Sequence, residues 1–86
     1  MKTAELSHDE KLKAFLEKNG YYNIRILPDG MVCNFDFIFT RAVVINPNWQ
    51  SYEKRYCYEN RALASKMCLE MQSVDDEPLP GYTAIK

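Results

Sequence analysis

The sequence predicts a small α+β domain in the order α-β-β-β-β-α, an antiparallel sheet with both helices packed on one face. Three observations point there. An amphipathic helical stripe lies near each end of the chain, alternating and apolar segments fill the middle from Tyr21 to Tyr58, and turn-forming residues separate those segments at hairpin spacing. With 86 residues the chain reads as one domain, 1–86, because a chain of this length buries only roughly 60–65% of its unfolded surface and cannot build a second core.

The first helix is expected over residues 8–18. Ser7-His8-Asp9-Glu10 has capping-box spacing, in which the Ser7 hydroxyl accepts from the Glu10 amide and the Glu10 carboxylate reaches back to Ser7. Leu12, Phe15 and Leu16 form a narrow apolar stripe, and Asn19-Gly20 supplies a residue able to take positive φ just past the end. Tyr21 to Leu27 then alternates, with Tyr22, Ile24 and Ile26 on one face and Tyr21, Asn23 and Arg25 on the other. Leu27-Pro28-Asp29-Gly30 reads as a hairpin turn with a left-handed glycine.

In the second strand, Met31, Cys33, Phe35, Phe37 and Phe39 fall on one side and are assigned to the core, while Asn34 and Asp36 fall on the other. Thr40-Arg41 marks a bend, and Ala42-Val43-Val44-Ile45 forms a third strand ended by Asn46-Pro47-Asn48. Residues 49–58 carry two signals. Trp49, Tyr52, Tyr56, Leu63 and Met67 fit one side of a long helix, yet Tyr52, Lys54, Tyr56 and Tyr58 alternate, and clustered tyrosines favour a fourth strand over Glu53 to Tyr58. Asn60 is a good N-cap for a second helix over about residues 61–72, whose stripe is Leu63, Ala64, Met67, Cys68 and Met71. Residues 1–6 are expected to be flexible. Residues 73–86 are expected to form a polar, proline-containing tail that Tyr82 and Ile85 can pin to the body.

Eleven Lys and Arg against twelve Asp and Glu give a net charge of -1. That balance lacks the basic field that drives phosphate-backbone binding, so nucleic acid is disfavoured as a partner and another protein is favoured. Met1 to Leu6 has no apolar run and reads as neither signal peptide nor membrane anchor, and Phe37 to Ile45 is too short to span a bilayer. The expectation is a cytoplasmic protein. Cys33, Cys57 and Cys68 are widely spaced with no CxxC, and His8 is the single histidine. Reduced, buried thiols are favoured over a zinc site or a disulfide framework.

No nucleophile–base pair, phosphate loop or calcium-loop spacing is present. His8 reads as a solvated residue near a helix start, Cys57 as a buried thiol despite Arg55 beside it, and Asp75-Asp76-Glu77 as a solvated acidic turn. A non-enzymatic protein without cofactor or metal is therefore expected. Its unusual feature is the aromatic load, six Tyr, four Phe and one Trp. Tyr21, Arg25, Arg41, Trp49, Tyr52, Lys54, Tyr56 and Tyr58 have the composition of a protein-binding surface. The alternative is a nucleic-acid-binding regulator using Arg25, Arg41, Lys54 and Arg55 with aromatic stacking on single strands. A third reading is self-association as a homodimer.

Gly30, Phe39-Thr40-x-Ala42, Tyr52-x-x-Arg55-Tyr56-Cys57-Tyr58, Ala64, Met71 and Glu77-Pro78 together resemble a family of small proteins encoded by phages and prophages. There, F-T-x-A precedes a Y-x-x-R-[WY]-C-Y strand, an Ala-rich helix and a Gly/Glu-Pro turn. The resemblance covers residues 30–82, and Arg55-Tyr56-Cys57-Tyr58 with Ala64 is its most specific part. Met71 stands where family helices end in tryptophan, and Ser73-Val74-Asp75-Asp76 replaces a Gly-rich turn. The resemblance implies a mobile-element origin, no assigned biochemistry and no catalytic residues. Together with the small size, the lack of chemistry and the aromatic surplus, it leads to the expectation of an accessory protein that binds and modulates a host protein, such as a defence or nucleic-acid-processing complex.

Overall fold

The computed structural model describes residues 8–85. The Ser7 half of the capping box and the flexible segment 1–6 lie outside them. Helix α1 (His8–Lys18) is followed by strands β1 (Tyr22–Leu27), β2 (Gly30–Asp36), β3 (Arg41–Ile45) and β4 (Lys54–Tyr58), helix α2 (Arg61–Glu70) and strand β5 (Tyr82–Ile85). All strands pair antiparallel in the order β1-β2-β3-β4-β5. The α+β class and the strand at 54–58 follow the sequence reading. Asn60 caps α2 as expected, its side chain accepting from the Leu63 amide.

Two features correct the expected order and layering. The tail holds a fifth strand, β5, laid along β4 after Gly81 turns the chain at φ 106. Four residues are too few for a period-two signal to stand out; the ladder offered by β4 makes this strand. The helices also lie on opposite faces rather than together. Cross-strand partners share a face, so Val32, Asn34, Val43, Ile45, Tyr56 and Tyr58 lie under α2, packed on Ala64, Met67, Cys68 and Met71. Met31, Cys33, Ala42, Val44 and Cys57 face the other way, where Leu12 and Leu16 of α1 cover Met31. Met31-Val32-Cys33 and Ala42-Val43-Val44-Ile45 are apolar without alternation, the pattern of strands buried on both sides.

Asn34, expected on a polar side, is fully buried beneath α2. Its amide donates to the Ala42 carbonyl at 3.0 Å and the Ala64 carbonyl at 3.2 Å, and its oxygen accepts from Asn23. Burial without those bonds would cost about 1–3 kcal/mol. In β1 a bulge sets Tyr22 opposite Asn34 and Arg25 opposite Val32, with Asn23 at φ 54. Tyr22 therefore joins Arg25 on the α2 face instead of grouping with Ile24 and Ile26.

Gly30 does not take positive φ. It is small because a Cβ there would meet Asn46 Oδ1 and Val74, and that Asn46 oxygen accepts from the Met31 amide. The β2–β3 hairpin closes with the Phe37 amide donating to the Thr40 carbonyl at 2.8 Å. Phe39, expected in the core, is thereby placed at the tip with Ile38, 85% and 87% exposed. Alternation runs to Phe37, which packs beside Phe35, and ends where the turn begins.

Arg25 holds the end of α2: one guanidinium nitrogen donates to the carbonyls of Cys68 at 2.7 Å and Met71 at 2.6 Å. A cation at a helix C-terminus also meets the favourable end of the dipole. Arg25→Met is expected to lower stability by about 2 kcal/mol, read as a lower urea midpoint at unchanged slope.

Candidate binding groove

Helix α1 packs on β1 and on Met31, so it covers only one side of its sheet face. Over β3 and β4 that face is closed by side chains: half-buried Tyr21, Phe35, Phe37 and Tyr52 pack on Cys33, Ala42, Val44 and Cys57. Between α1 and the β3–β4 loop lies a groove of about 330 Å³, lined by Phe15, Leu16 and Asn19, by Asn48 to Tyr52, and by Tyr21 and Phe35. Its size is at the lower end of ligand-binding pockets, about 300–1,000 Å³.

Local sequence chemistry builds each wall. Asn48 Oδ1 accepts from the amides of Gln50 and Ser51, a turn that holds Trp49 up. The Trp49 ring sits 4.8 Å from Phe15 and 6.2 Å from His8 between centroids. Tyr21 packs on Phe35 at 4.5 Å and Phe35 on Phe37 at 4.8 Å. The Arg55 guanidinium carbon lies 4.3 Å above the Phe37 centroid and 5.8 Å from that of Tyr52. Burial, then the Cys33 thiol and Tyr52, pushes the Tyr21 phenol above its usual range and keeps it neutral.

The eight residues expected to form one partner surface do not do so. Tyr21, Trp49 and Tyr52 line the groove. Tyr56 and Tyr58, 6% and 0% exposed, are core residues under α2. Arg25 is engaged by α2. Arg41 lies on the α2 face, its Nε 4.0 Å from Asp36, whose other carboxylate oxygen accepts from Arg61 at 2.5 Å. Lys54 sits over the Tyr56 ring at 5.6 Å, also on the α2 face. Alternation along β4 separates Tyr56 and Tyr58 from Arg55 and Cys57, and the covered α2 face claims the tyrosines. Phe15 is read from the sequence only as part of a helix stripe. Its place in the groove depends on where α1 docks, which no local pattern encodes.

A second cleft, about 230 Å³, lies between the end of α2 and the tail, lined by Met67, Glu70, Met71, Asp76, Glu77 and Leu79. Asp76 is used locally, accepting from the amides of Gln72 and Ser73. Asp29 accepts from the Ser73 hydroxyl and the Val74 amide, which lowers its pKa. Among the described residues, no group of three His, Cys, Asp or Glu could hold a metal, and no helix is long and apolar enough to cross a membrane.

All three thiols are free and buried. Burial raises the Cys33 and Cys68 thiols far above their usual range, Cys68 to about 12. Thiolate is the reactive form. An aromatic disulfide reagent at pH 8 is expected to label none of the three promptly in the folded protein and all three in guanidinium. Prompt labelling of the folded chain would contradict this burial.

The fold and groove define a five-stranded antiparallel meander with a helix on each face and an aromatic cleft beside one of them. Comparison with protein-family models, curated proteins and solved structures finds no match to this chain.

Proposed function

We propose that the protein is a non-enzymatic accessory protein of a phage or prophage, acting in the host cytoplasm by binding and modulating a host protein through the groove beside α1. The observation that carries this reading is the open aromatic cleft whose outer wall, Trp49, is 45% exposed. Trp, Tyr and Arg dominate the binding energy of protein interfaces, in pockets near their centres. The resemblance of residues 30–82 to small phage proteins supplies the host context. The nucleic-acid alternative loses its surface, since Arg25, Arg41 and Lys54 lie on the α2 face and Arg55 lies on the aromatic one.

Affinity capture from bacterial lysate with wild type, Trp49→Ala and Leu69→Ser tests the proposal. Leu69 is 53% exposed on α2, on the other side of the sheet. A host protein retained by wild type and Leu69→Ser, and at least about tenfold depleted with Trp49→Ala, is expected; a hot-spot truncation costs about 2 kcal/mol or more. Identical recovery with all three defeats the proposal.

A further inference from the structure

Alone among the arginines, Arg55 has neither a hydrogen bond nor an ion pair with any described residue. Arg25 holds helix carbonyls, and Arg41 and Arg61 share Asp36. Arg55 is half-buried, and its Nε, like that of Arg41, is shielded from solvent without a hydrogen-bond acceptor. Unlike Arg41, it has no carboxylate beside it, and its plane is held against Phe37 with Tyr52 alongside. A buried donor on a charged group without a partner is costly, and ring contacts leave the N–H edge of the guanidinium unsatisfied. Stacking also removes much of the rotamer freedom an arginine normally loses on binding. It leaves a planar fork whose natural complement is a carboxylate.

We infer that Arg55 is a carboxylate receptor: the groove takes a peptide segment of the partner that presents a carboxylate to Arg55 and a bulky apolar side chain to the cleft between Trp49 and Tyr52. This rests on the protein-binding reading above and names the chemistry of its partner. Charge complementarity selects the occupant. The aromatic face carries one guanidinium, which matches one carboxylate beside an apolar residue, whether a chain terminus or an Asp or Glu side chain. Binding a nucleic-acid strand draws on several cations along the backbone, and the neighbouring Lys54 projects to the opposite face of β4 in a chain of net charge -1. Tyr52 links the two halves of the site, lining the cleft and flanking the guanidinium.

The probes are N-acetyl-L-phenylalanine, its uncharged amide and an oligothymidylate, each titrated at low salt and followed by backbone amide shifts in wild type, Arg55→Gln and Arg55→Lys. The carboxylate probe is expected to bind wild type at least about tenfold more tightly than the amide, consistent with a hydrogen bond to a charged group. Shifts should centre on Tyr52, Arg55 and Trp49. Arg55→Gln should abolish the preference while leaving amide-probe binding and the dispersed spectrum intact. Arg55→Lys, keeping the charge without the stacked fork, should retain part of it.

Equal binding of the two phenylalanine probes to wild type, or a preference that survives Arg55→Gln, overturns the assignment. So does oligothymidylate binding that exceeds the carboxylate probe and depends on Arg55. The two readings fail separately: capture that depends on Trp49 without any carboxylate preference removes only the role of Arg55. A carboxylate preference without Trp49-dependent capture removes the host-protein reading and leaves a carboxylate site.

Discussion

Tyr58→Ala is expected to destabilise the domain by about 4–6 kcal/mol, a large share of its total stability. Tyr58 is the largest fully buried side chain among the described residues and lies between β4 and α2. Its hydroxyl donates to the Leu79 carbonyl at 2.8 Å with Met67 Sδ 3.0 Å away, so it also ties the tail to the sheet. Truncating a buried aromatic costs about 3–5 kcal/mol, and the lost hydrogen bond adds about 1 kcal/mol. A domain of this size has a total stability of about 4–13 kcal/mol. Tyr58→Phe keeps the ring and should lose only about 1 kcal/mol. Thermal melts by circular dichroism separate the two variants; a Tyr58→Ala protein melting within a few degrees of wild type would show that α2 and the tail do not depend on this side chain.

The second large effect is alkaline unfolding. Burial holds the proton on Cys68 up to about 12 and on Tyr58 up to about 12, and burial with the Asp36 hydrogen bond does the same for Tyr22, also to about 12. Cys33 shifts in the same direction by burial. Each acid binds its proton more tightly folded than unfolded, so stability is full below the unfolded pKa values, about 8.5 for a thiol and 10 for a phenol. It falls as pH rises through the folded values because the unfolded state gives up protons first. The urea midpoint should be flat from pH 7 to about 8.5 and drop steadily toward pH 12. Cys68→Ala should make the first part of that decline shallower, with Cys33 still contributing. A midpoint unchanged at pH 11 would contradict the burial of these groups.

Much of the fold could be read along the chain because it is encoded within a few residues of itself. The helix at 8–18 follows from the spacing of Leu12, Phe15 and Leu16, the helix after Asn60 from its cap and stripe, and β4 from alternating Tyr56 and Tyr58. The candidate site was legible only in part. Trp49, Tyr52 and Tyr21 are aromatic residues in excess of what two short helices can cover, and they line the groove. Tyr56 and Tyr58 belonged to the same excess by composition, and register against β3 sends them under α2.

Residue spacing carried the α+β class, both helices and the first three strands, and favoured the fourth, because periodicity and capping are short-range and need no knowledge of neighbours. Folding in three dimensions settled which sheet face each helix covers, the bulge that swings Tyr22 beside Arg25, the added edge strand and the placing of Arg55 against Phe37. Those outcomes depend on contacts between residues far apart in the chain, where a shift of one position exchanges the two faces of a strand.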